Sequence, residues 1–183
     1  MSVFYLIRHG HTRANEAHLY CGSTDLSLSP GGEEELKQLR YRLPPARFLT
    51  SGMARTEQTL ALLFGEVPHN QAPEFREIDF GRFEMRSYEE LKEDPDYLAW
   101  ISGDNHRNIP PGGESGEQME ERVLSAFRRL EAENIPTVLI THGGVIACIM
   151  AHLFPEEQKN RYQWQPEPGR GYAVFDGKYE RIP

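Results

Sequence analysis

The chain is poor in cysteine, in long uncharged stretches and in excess positive charge, and each shortage closes off a class of protein. Its two cysteines, Cys21 and Cys148, form no CxxC pair and have no metal-ligand spacing. Two cysteines can bridge, but nothing marks the chain as secreted, so reduced thiols are expected. Lysine and arginine total 20 against 28 acidic residues, a formal net charge of -8, and no stretch carries a basic patch. No nucleic-acid partner is therefore expected. The longest uncharged stretch, between Pro136 and Pro155, is interrupted by His142, Gly143, Gly144 and His152. That is not a span of ~20 predominantly apolar residues, so no membrane partner is expected. The opening Met1-Ser2-Val3-Phe4-Tyr5-Leu6-Ile7 lacks a basic n-region and a small-residue cleavage site. It reads as a strand and not as a signal peptide, and a cytoplasmic location is expected. Low-complexity runs and solenoid repeats are absent too. What remains is 183 residues, 38% hydrophobic and 26% charged, with a mean hydropathy of -0.62. That suits one α/β domain over residues 1–183 with a substantial core.

Strand-like and helix-like patterns alternate. Residues 3–7 are a short apolar run that ends abruptly at Arg8-His9-Gly10. Ser29-Pro30-Gly31-Gly32-Glu33 has the cap, proline and acid of a helix start. Leu36, Leu39 and Leu43 continue that helix at helical spacing as far as Pro44-Pro45. Residues 47–50 read as a second strand, with Ser51 as the expected cap of a helix carrying Thr56, Leu60, Leu63 and Phe64. A less regular, aromatic-rich segment at about 68–115 is expected to be a lid-like insertion, with a short helical piece at 88–92. Residues 116–133 form the clearest amphipathic helix, with Met119, Val123, Ala126, Phe127 and Leu130 on one face. Residues 137–141 then read as a strand and 145–154 as a buried helix. Residues 172–175 and 179–182 read as strands around an Asp176-Gly177 turn. The expected fold is an α/β sandwich with a mostly parallel sheet and an antiparallel edge strand. Ligands of such sheets sit beyond the carboxyl ends of the strands.

Three strand ends carry residues able to handle an anion: Arg8-His9, Ser51 leading to Arg55, and Thr141-His142. A guanidinium such as Arg8 binds phosphate oxygens in a bidentate manner. An imidazole among cations has its protonated form disfavoured, so the free nitrogen of His9 stays available for attack. Asn15 can donate its amide to a further phosphate oxygen. Arg55 would stand in a first helical turn, where the helix N-terminus also favours anions. His142, followed by Gly143-Gly144 and a helix, can donate to phosphoryl oxygens. Each has a plainer reading: Arg8 and His9 as polar residues at a strand end, Arg55 as an exposed helix arginine, His142 as a buried structural histidine.

Together, Arg8-His9-Gly10-His11-Thr12-Arg13-Ala14-Asn15, then Arg55, then His142-Gly143, resemble in content and order the motifs of the histidine phosphatase superfamily, which includes phosphoglycerate mutases and broad acid phosphatases. The resemblance covers nearly the whole chain. It implies that His9 is the phosphorylated nucleophile and that Arg8, Asn15, Arg55 and His142 form the phosphate pocket. It also implies a three-layer α/β/α fold, phosphoglycerate mutase-like, with no metal and no organic cofactor. The family's acid position falls on Glu77 within Arg76-Glu77-Ile78-Asp79-Phe80-Gly81-Arg82-Phe83-Glu84-Met85-Arg86. A phosphate dianion beside Glu77 would keep it protonated for the leaving group, and it would then act as base on water. Glu84 competes for that role, or else orients the pocket, and Asp79 is expected to be solvent-facing or structural.

Gly81-Arg82-Phe83-Glu84-Met85-Arg86, Ala99-Trp100 and Ile109-Pro110-Pro111-Gly112-Gly113-Glu114-Ser115 are similar to segments of α-ribazole phosphatases, enzymes of cobalamin nucleotide-loop assembly. Arg82 departs from that pattern where an acid is usual and Phe83 where a tryptophan is. Cys21 stands near a position where many family members have glutamine, and His11 where Glu or Gln is usual. Glu84, Phe83 and Trp100 are candidate substrate contacts, and Tyr88 and Tyr97 are further aromatics that would stack a base or pack the lid. The substrate class implied is a small phosphate monoester. A phosphoglycerate mutase, a broad sugar or nucleotide phosphatase and a non-catalytic phospho-ligand binder are the alternatives. A metal site at His9 and His11 is disfavoured by Arg8 and the lack of carboxylates. The oligomeric state is open, a homodimer included.

Overall fold

Every residue from Phe4 to Ile7 is buried, which requires partners on both faces and both edges of that strand. The computed structural model, which describes residues 3–104 and 106–183, supplies all four. In chain order the elements are β1 (Phe4–Arg8), α1 (Arg13–Glu16), α2 (Pro30–Gln38), β2 (Arg47–Thr50), α3 (Ala54–Phe64), β3 (His69–Gln71), α4 (Tyr88–Leu91) and α5 (Pro95–Ile101). They continue with α6 (Gly116–Glu133), β4 (Thr137–Thr141), α7 (Gly143–Leu153), α8 (Arg161–Trp164), β5 (Gly171–Phe175) and β6 (Lys178–Ile182). The sheet order is β3-β2-β4-β1-β5-β6. Pairs β3/β2, β2/β4 and β4/β1 are parallel, whereas β5 pairs antiparallel with both β1 and β6.

The two-residue period of the strands divides the core. Phe4, Leu6, Leu139, Tyr172 and Val174 face α6 and α7, meeting Val123, Phe127, Ile146 and Ile149. Tyr5, Ile7, Val138, Ile140 and Ala173 face the other way, toward Leu60, Leu63 and Phe64 of α3. Helices thus cover both faces, giving the expected α/β/α layering. Each such buried aliphatic side chain contributes roughly 1.5–3 kcal/mol. Among the described residues, no helix is long and apolar enough to cross a membrane.

Local chemistry accounts for the best-defined elements. Ser115 caps α6 by accepting from the Gln118 N–H, while the Gln118 side chain returns to the Ser115 N–H, a complete capping box. Asp176 and Gly177 both adopt positive φ, 48° and 69°, the geometry of a tight hairpin turn between β5 and β6.

Four elements differ from the sequence-based expectation. The helix begun at Ser29 ends at Gln38, not at Pro44, because Leu39 is extended. The extended path lets the Tyr41 hydroxyl donate to the Gly169 carbonyl at 2.6 Å. Ser51 does not cap α3; Met53 holds that position without a side-chain bond. β3, His-Asn-Gln with every residue exposed, offers no apolar alternation to read. α5 was also unforeseen, although Asp94 caps it and Pro95 opens it. Around it, Phe83, Leu91 and Tyr97 form a small separate core joined by Tyr20, Phe80 and Trp100.

Candidate active site

Because β2, β4 and β1 lie side by side and parallel, their carboxyl ends deliver Ser51, His142 and Arg8-His9 to one place. The His9 N–H donates to Thr141 O at 2.9 Å, locking the two strand ends together. The His9 and His142 rings meet edge to face with centroids 5.1 Å apart. His9 is 6% exposed and His142 fully buried.

The hydrogen bonds assign the tautomers. His9 Nδ1 lies 2.7 Å from Gly10 O, and a carbonyl can only accept. Nδ1 therefore carries the proton and Nε2 the lone pair. For His142 the order follows from a relay. The Thr56 hydroxyl donates to Met53 O at 2.8 Å, so in its 3.1 Å contact with Ser51 Oγ it must accept. Ser51 then has no proton left for His142 Nε2, 2.8 Å away, and accepts from it. His142 Nδ1 is left as a buried atom with no partner among the described residues, and so is Arg8 Nε. Trp164 Nε1 is a third such atom, but the first two belong to the strand ends that meet at His9, where a polar ligand would satisfy them.

Burial, followed by the Arg55 and Arg8 guanidiniums, holds His9 well below the ordinary imidazole value. Burial also dominates for His142, reinforced by His9, Arg55 and Arg8. Both rings are thus neutral in the folded protein. An unfolded chain titrates its histidines near 6.5 and so binds protons there that the folded chain refuses. Unfolding free energy should fall as pH drops from about 6.5 toward the depressed folded values. Urea midpoints measured from about pH 8 to about pH 5 check this, and His142→Gln should flatten the slope. Identical slopes in variant and parent would remove the buried histidine as the cause.

Arg55 is 1% exposed and donates to Thr24 O at 2.9 Å and Gly22 O at 2.7 Å. The loop offering those carbonyls is organised from beneath by Glu84. Its carboxylate accepts the N–H groups of Gly22, Ser23, Thr24 and Phe80 at 2.9–3.2 Å and the Thr24 hydroxyl at 2.7 Å. Gly22 must be glycine, since a Cβ there would stand 1.6 Å from Ile78 O. Asp79, through Ser23 and the Gly81 N–H, ties into the same loop.

Glu77 approaches from the far side. Its Oε2 accepts the Gly144 N–H at 2.9 Å, in the first turn of α7, and Oε1 accepts the Ile78 N–H at 3.0 Å. A Cβ on Gly144 would sit 2.4 Å from Oε1, so the second glycine of His142-Gly143-Gly144 makes room for the carboxylate. Arg8 Nη1 donates to Pro166 O at 2.9 Å. Asn15 Oδ1 is held by the Thr12 N–H and hydroxyl at 3.0 and 2.9 Å, which leaves donation to its amide nitrogen.

Arg8 and Glu77 line a cavity of about 510 Å³ together with Tyr20, Cys21, Phe80, Trp100, Met119 and Cys148, while His9, Arg55 and His142 lie outside its lining. Two candidate substrate contacts need correction. Glu84 has its oxygens occupied by the loop, and Phe83 is fully buried behind Trp100, with ring centroids 5.5 Å apart. Trp100 does line the cavity. His11 turns outward to Glu35 at 2.7 Å. Both cysteines are free thiols, and burial pushes Cys148 up to about 12. Sequence reasoning missed the Ser51–Thr56 relay and the Gly144 N–H. The doubled glycine after His142 was the one available signal for the latter.

The model of the histidine phosphatase superfamily (branch 1) matches residues 4–174. The chain belongs to that superfamily. The adenosylcobalamin/alpha-ribazole phosphatase of Salmonella typhimurium is 32% identical over 181 residues, with 93% of this chain and 88% of that protein covered. The crystal structure of the alpha-ribazole phosphatase from Shigella flexneri superposes with a TM-score of 0.82 at 30% identity, covering 97% of this chain and 93% of that one. A phosphoglycerate mutase from Thermus thermophilus gives a TM-score of 0.77 at 33% identity, with 99% and 98% covered. Family and relatives together indicate a phosphatase enzyme of phosphoglycerate mutase-like fold.

Proposed function

We propose that this histidine phosphatase hydrolyses a phosphomonoester through a phosphohistidine at His9, with α-ribazole 5′-phosphate as its substrate. The observation that carries the chemistry is the His9 Nδ1–H bond to Gly10 O, which leaves Nε2 as a lone pair near the buried Arg55 and the half-buried Arg8 guanidiniums. Nε2 attacks phosphorus, the P–O bond to the leaving group breaks, and Glu77 gives its proton to the departing oxygen. Water then attacks the phosphohistidine, Glu77 takes a proton from it, the P–N bond breaks and inorganic phosphate leaves. Arg8, Arg55 and Asn15 neutralise and orient the phosphoryl oxygens. His142 takes up a proton at Nδ1 when the dianion arrives and donates to it.

The substrate reading rests on the relatives' activity and on the cavity's lining. Within the single domain, residues 68–115 act as the lid and supply Phe80, Trp100, Ile101 and His106 to the cavity. Tyr20, Phe80 and Trp100 pack at centroid distances of 5.1–6.0 Å and share that wall. An aromatic wall suits a flat benzimidazole better than the carboxylate of a phosphoglycerate. The deciding experiment compares kcat/KM on α-ribazole 5′-phosphate, 3-phosphoglycerate, sugar phosphates and nucleoside monophosphates. A preference of about 100-fold or more for the first is expected, about 2.7 kcal/mol of transition-state discrimination. Equal rates across the panel would mark a broad phosphatase, and rapid phosphoryl exchange between phosphoglycerates a mutase.

A further inference from the structure

Residues 74–77, which carry Glu77 into the site, belong to no strand, yet every carbonyl oxygen among them is held by a side chain. That of Phe75 accepts from Thr141 Oγ1 at 2.6 Å. Those of Glu74, Arg76 and Glu77 all accept from Arg122 of α6: the first two from Nη1 at 2.7 and 2.9 Å, the third from Nη2 at 3.2 Å. The same guanidinium forks onto Glu114, Nε to Oε1 at 2.7 Å and Nη2 to Oε2 at 2.8 Å. An arginine has five N–H donors, and these contacts use them all. None is left for a substrate, so whatever Arg122 contributes to turnover passes through the main chain it grips. Glu114 is tied to the same region by its own backbone, its N–H donating to Asp79 O at 2.9 Å.

We propose that Arg122, oriented by Glu114, is a positioning residue that sets where the Glu77 carboxyl stands relative to the leaving-group oxygen. The proposal rests on the reading of Glu77 as proton donor. A single 3₁₀ turn over Pro73–Phe75 and the residues after it have no ladder to fix their height above the sheet, and α6, capped and long, is the element from which they are suspended. Proton transfer tolerates little displacement of the donor. Loosening the clamp should therefore act on the step Glu77 assists and spare the attack by His9. A lysine, with three donors at a single point, cannot span three carbonyls and a carboxylate.

The test compares Arg122→Gln, Arg122→Lys, Glu114→Gln and Glu77→Gln on an alkyl phosphate and on p-nitrophenyl phosphate, whose leaving group departs without a proton. Arg122→Gln should lower kcat/KM on the alkyl ester by on the order of tenfold and leave kcat/KM on the aryl ester within about twofold, because kcat/KM stops at formation of the phosphohistidine and excludes its hydrolysis, in which Glu77 serves both esters alike. Arg122→Lys should fail to restore the alkyl rate, and Glu114→Gln should shift it in the same direction by less. In a Glu77→Gln background, Arg122→Gln should add no further selective loss. If Glu77→Gln discriminates between the esters and Arg122→Gln does not, the proposal falls while the proton donor stands. If Glu77→Gln lowers kcat/KM for both esters alike, both fall together. Should Arg122→Gln not fold, Arg122→Lys and Glu114→Gln carry the same comparison, and loss shared equally by both esters in each of them overturns the proposal.

Discussion

His9→Ala should abolish turnover, by on the order of 10⁴-fold or more, and with it all covalent labelling by a radiolabelled phosphate ester. The label on the parent protein should be acid-labile and stable to alkali, as a phosphoramidate is and an acyl phosphate is not. Arg8 and Arg55 are held by Pro166 O, Gly22 O and Thr24 O, not by His9. Anion binding should therefore survive, and inorganic phosphate should still raise the Tm of the variant. That separates loss of the nucleophile from loss of the pocket. A variant that turns over normally, or a parent label stable to acid, would assign the covalent step elsewhere.

Glu77→Gln should slow an alkyl phosphate by about 10²–10⁴-fold, the range general acid–base assistance provides. An activated aryl phosphate should lose far less in the phosphorylation step, because its phenolate leaves unaided. The substitution also has a structural cost. The carboxylate accepts two backbone N–H groups, from Gly144 and Ile78. A carboxamide has one acceptor oxygen, so one of those donors is left facing an NH₂ group, at about 1–3 kcal/mol. A modest fall in Tm should accompany the kinetic effect without producing it, since lost stability slows both esters equally. Matching losses in kcat/KM, which excludes hydrolysis of the shared phosphohistidine, would remove Glu77 as proton donor to the leaving group.

Periodicity and capping made α6, β4 and the terminal hairpin readable in advance, because these signals are local. The convergence of Arg8, His9 and His142 was readable for a different reason: parallel strands end on one side of a sheet, so polar residues at their ends must meet there. Distance along the chain hid the rest. Glu84 acts on Gly22, 62 residues away, and Arg122 on the Glu77 carbonyl, 45 away. Nothing near Arg122 distinguishes it from an ordinary surface charge, and although Glu84 was expected to orient the pocket, the distant loop it holds was not legible. Phe83 misled for the same reason, since an aromatic that lines a cavity and one that backs it look alike in sequence. β3 carries no apolar residue, and Leu39 gives up a helical pattern for a tertiary contact of Tyr41.

The central strand has one further consequence, for the order in which the molecule can come into being. β1 is flanked by β4 and β5, and its last residues are gripped by Thr141, Pro166, Gly169 and Arg170. During synthesis β1 therefore leaves the ribosome well over a hundred residues ahead of β4 and β5, the two strands that flank it. Such remote pairings are slow to close and leave an apolar strand unprotected meanwhile. Catalytic competence should appear abruptly and late during synthesis, and β1, waiting for its distant partners, is where chaperone dependence should concentrate.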